Sequence, residues 1–179
     1  TLRDMKDAPG LPALSVATHS LTVEQLRPHT QGAAIYRADS RLYFEPDPNH
    51  WHDSRMQHQV SPIAKDGNPL KLLTERAAEV GLDVVSWTLC NHSSWLGLHY
   101  PDATEQNALG DRYPEALCPA NPDVRTFLAA LMADLSHNYK LSLLELESFH
   151  YAGTMRHYHH HEKIAIPQGP LDKVLLGVC

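Results

Sequence analysis

The run from 142 to 151, SLLELESFHY, sets Glu145 and Glu147 at alternate positions of a segment otherwise rich in leucine. In an extended strand residues two apart share a face, so both carboxylates point one way while Leu144 and Leu146 point the other. Carboxyl groups so placed suit general acid, nucleophilic or electrostatic work on a glycosidic bond, whose hydrolysis normally uses a pair of them. The two glutamates are roughly 7 Å apart along the strand, with Glu145 a layer deeper. Glu147 is therefore the candidate for catalysis and Glu145 for substrate contact, and a second catalytic carboxylate is expected on a later strand. The opposing reading makes both glutamates structural, paired with Lys or Arg in a polar interior.

Other ionisable groups stand at the ends of apolar runs. His19 stands at the C-terminal end of LPALSVATHS, and Asn91-His92 follows DVVSWTLC. Alternation along the second run assigns Ser86, Thr88, Cys90 and His92 to the inward face and packs Val85, Trp87 and Leu89 under helices. On that reading His19, His92 and Glu147 face inward together, with Asn91, Tyr151 and His161 completing a substrate pocket. The segment MRHYHHHEK, residues 155–163, offers a second chemistry. His157 and His161 have the i, i+4 spacing a helix uses for zinc, but the order is not HExxH and Pro167 and Gly169 soon follow. No metal and no cofactor is expected; a loop rich in His and Tyr equally lines a sugar subsite. Trp51, Trp95, Tyr43, Tyr100 and Tyr151 fall mostly in expected loops, as sugar platforms or as packing.

The elements that must position these groups follow from periodicity and punctuation. Pro69 near a helix start, the stripe Leu70, Leu73, Ala77 and Val80, and Gly81 as a stop predict one helix, with a strand over 83–90 directly after it. Asn121 as cap, Pro122 at the first position and Val124, Phe127, Leu128, Leu131 and Leu135 predict another, followed by a strand over 141–147. Strand, helix, strand, helix, strand is the order of parallel βαβ units. Runs 33–37 and 41–44 around Ala38-Asp39-Ser40 predict an antiparallel hairpin. Long loops at 46–68, 91–120 and 148–170 follow the strand ends, where such loops carry function.

Composition removes several classes. With 179 residues, 42% hydrophobic, the chain can bury a core. A net charge of −6 with its 15 basic residues scattered gives no footprint for nucleic acid or an anionic membrane. No run approaches the roughly 20 apolar residues of a membrane span, and TLRDMKDAPG lacks the order of a signal peptide, which favours a cytoplasmic location. Oligomeric state is left open. Cys90, Cys118 and Cys179 are too far apart for a metal knuckle and are expected to be reduced thiols.

The stretches AEVGLDVVSWTLCNHSSWLGLHYPD, GDRYPEALCPANPDVRTFLAALMADL and LLELESFHYAG with its downstream HHHEK resemble uncharacterised bacterial TIM-barrel proteins described as hypothetical glycoside hydrolases, relatives of the α-amylase-like barrels. The resemblance spans roughly residues 10–179, on the scale of most of one domain. It implies an α/β fold, a partial (β/α) TIM-type barrel with long loops at the C-terminal ends of its strands and an inserted β-hairpin, and a carbohydrate substrate. A full barrel takes about 250 residues. Residues 1–179 are thus expected to be the N-terminal part of a barrel catalytic domain, truncated at both ends. The rival functions are a metal-dependent hydrolase using His19, His92 and the 157–161 cluster, and a non-catalytic carbohydrate-binding barrel.

Overall fold

Prolines at the first turn start the two long helices, because a missing N–H costs nothing where the helix has no partner for it. α4 (Pro69–Glu79) is capped by Asn68, whose side chain accepts from the Lys71 amide at 3.3 Å, and Gly81, with φ +66°, takes the left-handed conformation that stops it. α6 (Pro122–Asn138) is capped by Asn121, which accepts from the Asp123 and Val124 amides. The computed structural model describes residues 1–7, 9–26, 35–38 and 40–151. Its further elements are α1 (Leu2–Asp7), β1 (Ala13–Ser20), β2 (Val23–Leu26), β3 (Ile35–Ala38), β4 (Arg41–Leu42), α2 (Pro48–Trp51), α3 (Pro62–Lys65), β5 (Asp83–Leu89), α5 (Ser94–His99), β6 (Thr104–Gln106), β7 (Arg112–Leu117) and β8 (Leu143–Glu147).

β1, β5 and β8 are parallel, with β5 in the middle, and β4 adds an antiparallel edge beside β1. β2 with β3 and β6 with β7 form separate two-stranded sheets. The expected partial TIM-type barrel is thereby corrected: among the described residues the main sheet is an open, mixed, four-stranded one, with no closed barrel. The expected hairpin also changes partners. β3 pairs with β2, while the run at 41–42 turns back on β1, His19 opposite Leu42 and Ser20 opposite Arg41. Two short β-rich runs around a polar turn cannot specify their pairing locally, and here each finds a different strand.

α4 and α6 cover one face of the sheet. Val84 of β5 packs with Ala77 and Leu82, and Cys90 joins Phe127, Leu128, Leu131 and Leu135 in the main core. Phe127, Leu131 and Leu135 are fully buried, each contributing about 1.5–3 kcal/mol of apolar transfer. Long excursions are tied to this core. Buried Asp134 on α6 accepts from the Trp51 indole N–H at 2.7 Å and the Asp47 amide at 2.8 Å, which pins the segment carrying α2. Trp51 thus packs its loop down. Cys118 is disulfide-bonded and Cys90 is free, so the expectation of reduced thiols fails at Cys118.

α5 lies on β7 at Gly97. A Cβ there would stand 1.8 Å from the Pro114 carbonyl oxygen, backbone that has no rotamer with which to yield. Gly97→Ala is expected to lower stability by about 1–3 kcal/mol, read as a lower urea midpoint at unchanged slope. Leu98→Ala, one residue on and 69% exposed, should stay within about 0.5 kcal/mol. Equal effects of the two would show that the α5–β7 contact does not limit stability.

Candidate functional site

The parallel register sorts the site residues between two faces. Trp87 lies opposite Glu145 and Leu89 opposite Glu147, so both glutamates share the Val85 and Trp87 face, away from the helices. Trp87 and Val85 are half-buried there, Glu145 and Glu147 exposed. This reverses the expected sidedness of β5: Val84, Ser86 and Thr88 face the helices, and Trp87 does not. Three hydroxyls fill the helix side instead, with Thr18 Oγ1 3.1 Å from Ser86 Oγ and 2.7 Å from Thr88 Oγ1, all fully buried. Polar side chains mimicked a polar interior in the sequence, yet they satisfy one another beneath α6.

On the open face the Trp87 indole N–H donates to Glu147 Oε2, and Ser15 Oγ donates to Glu145 Oε2 at 3.3 Å. Among the described residues neither glutamate pairs with Lys or Arg. Glu145, expected as the deeper of the two, is exposed like Glu147. Directly after Glu147 the chain turns at Ser148, whose φ of +57° is a left-handed conformation uncommon for a residue with a side chain. Its carbonyl receives the Asn91 amide at 3.1 Å, which locks the loop after β5 to the loop after β8.

His19 leaves the open face because of a register shift between Ala17 and His19, where β1 carries an extra residue relative to β5. A bulge of this kind breaks strict alternation, and Thr18 and His19 are both fully buried. His19 Nδ1 is 2.5 Å from the Leu89 carbonyl oxygen; since a carbonyl only accepts, Nδ1 carries the proton. Nε2 is then a lone pair, buried and without a hydrogen-bond partner. The ring stands edge-on to His58 at 4.7 Å between centroids and against Phe127 at 6.2 Å. His58 Nε2 lies 3.1 Å from both Ser40 Oγ and Ser93 Oγ, and its ring stacks on Trp95 at 4.9 Å. Burial holds the His19 imidazole down to about 4, outweighing the Leu89 hydrogen bond, with the charge of nearby His92 adding to the depression. His58 falls to about 2, by burial first and then the charge of His19.

The structure brings His19, Asn91 and His92 to the ends of β1 and β5 and turns Glu145 and Glu147 to the open face. His92 is half-buried and bridges through its backbone to Ala116. Tyr151 is 46% exposed. His161 and the rest of the histidine-rich segment lie outside the described residues. Among the described residues no group of three or more His, Cys, Asp or Glu side chains could hold a metal ion. No helix there is long and apolar enough to cross a membrane. The sequence reading missed His58, Ser40 and Ser93. A signal existed: Ser54, Met56 and His58 are buried while Arg55 and Gln57 are exposed, the alternation of an extended segment with one face inward. No family model matches the chain, and comparison with curated proteins and with solved structures also finds no match.

The paired imidazoles set a pH dependence. Both folded values lie below the ordinary 6.5, so stability is complete above about pH 6.5 and is lost as pH falls, through about 4 for His19 and about 2 for His58. Between about pH 7 and pH 5 each buried neutral imidazole should remove about 2 kcal/mol, because the unfolded chain takes up protons that the folded chain refuses. Urea unfolding at the two pH values measures this. A free energy unchanged across that interval would mean that the folded rings accept protons.

Proposed function

We propose that this chain binds carbohydrate on the open face of its parallel sheet, with Glu147 as the carboxyl group that acts on the glycosidic bond. The observation that carries the reading is the Trp87 indole donating to Glu147 Oε2 on that face, at the C-terminal end of a parallel strand. α/β sheets place ligands at that end. A half-exposed indole offers a flat apolar surface to a sugar ring, and its N–H orients the carboxylate beside it. No basic side chain among the described residues pairs with Glu147. The resemblance to glycoside hydrolases, resting on the sequence stretches already quoted, points to the same substrate class.

One observation favours binding without catalysis. Both glutamates are exposed, whereas a catalytic acid is commonly tuned by burial or by a close second carboxyl. A single variant separates the two readings. Glu147→Gln keeps an oxygen to accept from Trp87 and removes the charge and the proton. If Glu147 is catalytic, hydrolysis of aryl glycosides by the full chain should fall about 100-fold or more, while unfolding moves by no more than about 0.5 kcal/mol. Sugar binding retained alongside an absence of turnover in the unsubstituted chain would establish the non-catalytic alternative. Turnover unaffected by the substitution would remove Glu147 from the chemistry.

A further inference from the structure

A cleft of about 300 Å³ opens where three parts of the chain meet: the segment leading into α2, the start of α4 and the end of α6. That volume is at the lower end of the roughly 300–1,000 Å³ of small-molecule sites, so a compact ligand fits it. Its walls are braced against one another. Asn68 Nδ2 donates to the Tyr139 hydroxyl at 2.9 Å, and that hydroxyl donates to the Glu45 carbonyl oxygen at 3.1 Å, which ties all three parts together. Asn138 Nδ2 donates to Asp47 Oδ2 at 3.2 Å and to buried Asp134 at 2.9 Å, and the Asp47 amide donates to Asp134 at 2.8 Å. A ligand entering a cleft held in this way has little protein left to order, which removes one cost of binding.

Three charged residues line the cleft, Glu45, Asp47 and Lys71. Asp47 is already engaged: Oδ1 accepts from the Asn49 amide and side chain and Oδ2 from Asn138, and the Asn49 amide above all holds its carboxyl below the usual value. Lys71 and Glu45 differ. Both are exposed, and among the described residues neither the ammonium group nor the carboxylate has a hydrogen bond or an ion pair, with each other or with anything else. The Glu45 charge is felt at the cleft wall, where burial first, and then the carboxylates of Asp134 and Glu45, push the Tyr139 phenol up to about 12 against the Asn68 hydrogen bond. Two unlike charges left apart in one small cleft match a ligand that carries both. A simple anion would meet Glu45 and Asp47, a simple cation would meet Lys71, and a neutral polyol would answer neither. We propose that this cleft binds a free α-amino acid, its carboxylate on Lys71 and its ammonium group on Glu45. Neither Trp87 nor Glu147 lines the cleft, so the proposal stands apart from the carbohydrate reading.

The test is nitrogen–proton NMR of the labelled full chain, following the Asn68 and Asn138 carboxamides as each common L-amino acid is added. The strongest binder is then compared with its N-acetyl and its carboxamide derivatives, each of which lacks one of the two charges. Saturable movement of both signals with at least one amino acid, and binding about tenfold or more weaker for both derivatives, is the expected result. Silence toward every amino acid would overturn the proposal. So would an N-acetyl derivative that binds as well as its parent, which would make this an anion site, or a carboxamide that does, which would make it a cation site. Lys71→Met and Glu45→Gln alter exposed side chains that have no partner to lose, and each should weaken binding about tenfold. Lys65→Met, exposed at the end of α3, should leave it unchanged. Binding indifferent to both cleft substitutions would overturn the assignment of the two charges. If either variant fails to fold, the derivative series in the unsubstituted chain still decides.

Discussion

Everything in this fold hangs on β5 being hydrogen-bonded on both sides by parallel partners. The ladder from Ala13 opposite Asp83 to Ala17 opposite Trp87, and from Val85 opposite Leu143 to Leu89 opposite Glu147, aligns three strand ends at one edge of the sheet. It also gives the sheet two unlike faces. Once α4 and α6 cross over the same side, Val84, Ser86 and Thr88 are buried beneath them, while Val85 and Trp87 are half-buried on the other face with Glu145 and Glu147 exposed there.

The covered side shows how polar groups survive in such a core. Thr18, Ser86 and Thr88 hydrogen-bond among themselves, and Ser40, Ser93 and His58 form a second hydroxyl and imidazole group nearby. Each set is assembled from segments far apart in sequence. Such networks stabilise little in net terms, but breaking one member exposes the others to the full penalty of unmatched burial. They consequently hold the arms at 40–60 and 91–100 in one arrangement over the end of β1. His19 belongs to this interior through its bulge, and the depressed basicity of the pair is the electrostatic signature of that placement.

The excursion after β5 is built as a small module of its own. Ser93 caps α5 by accepting from the Leu96 amide, Gly97 admits the Pro114 backbone, and β6 with β7 returns the chain to Asn91 through the Leu117 amide. This closure holds Asn91 rigidly beside Ser148. The junction is thus supported from three elements at once.

The sequence by itself determined the two long helices, the cap at Asn121, the stop at Gly81, the buried stripe of α6 and part of that of α4, because Pro, Asn and Gly act within a turn and a 3.6-residue period needs no partner to be seen. It also determined that β5 and β8 are strands and that Glu145 and Glu147 share a face. What it could not determine was which face. Ser86 and Thr88 read as inward-facing polar residues, and only the position of α4 and α6 shows that they lie in the core opposite Trp87. Likewise the alternation that placed His19 with Glu147 assumed an unbroken strand, and the bulge in β1 exists only in its pairing with β5. The barrel expected from resemblance is replaced by an open sheet, and the partner of the run at 41–42 is β1 instead of its neighbour in sequence. These are non-local choices. They depend on free-energy differences between alternative pairings, and such differences are decided by contacts between residues tens of positions apart.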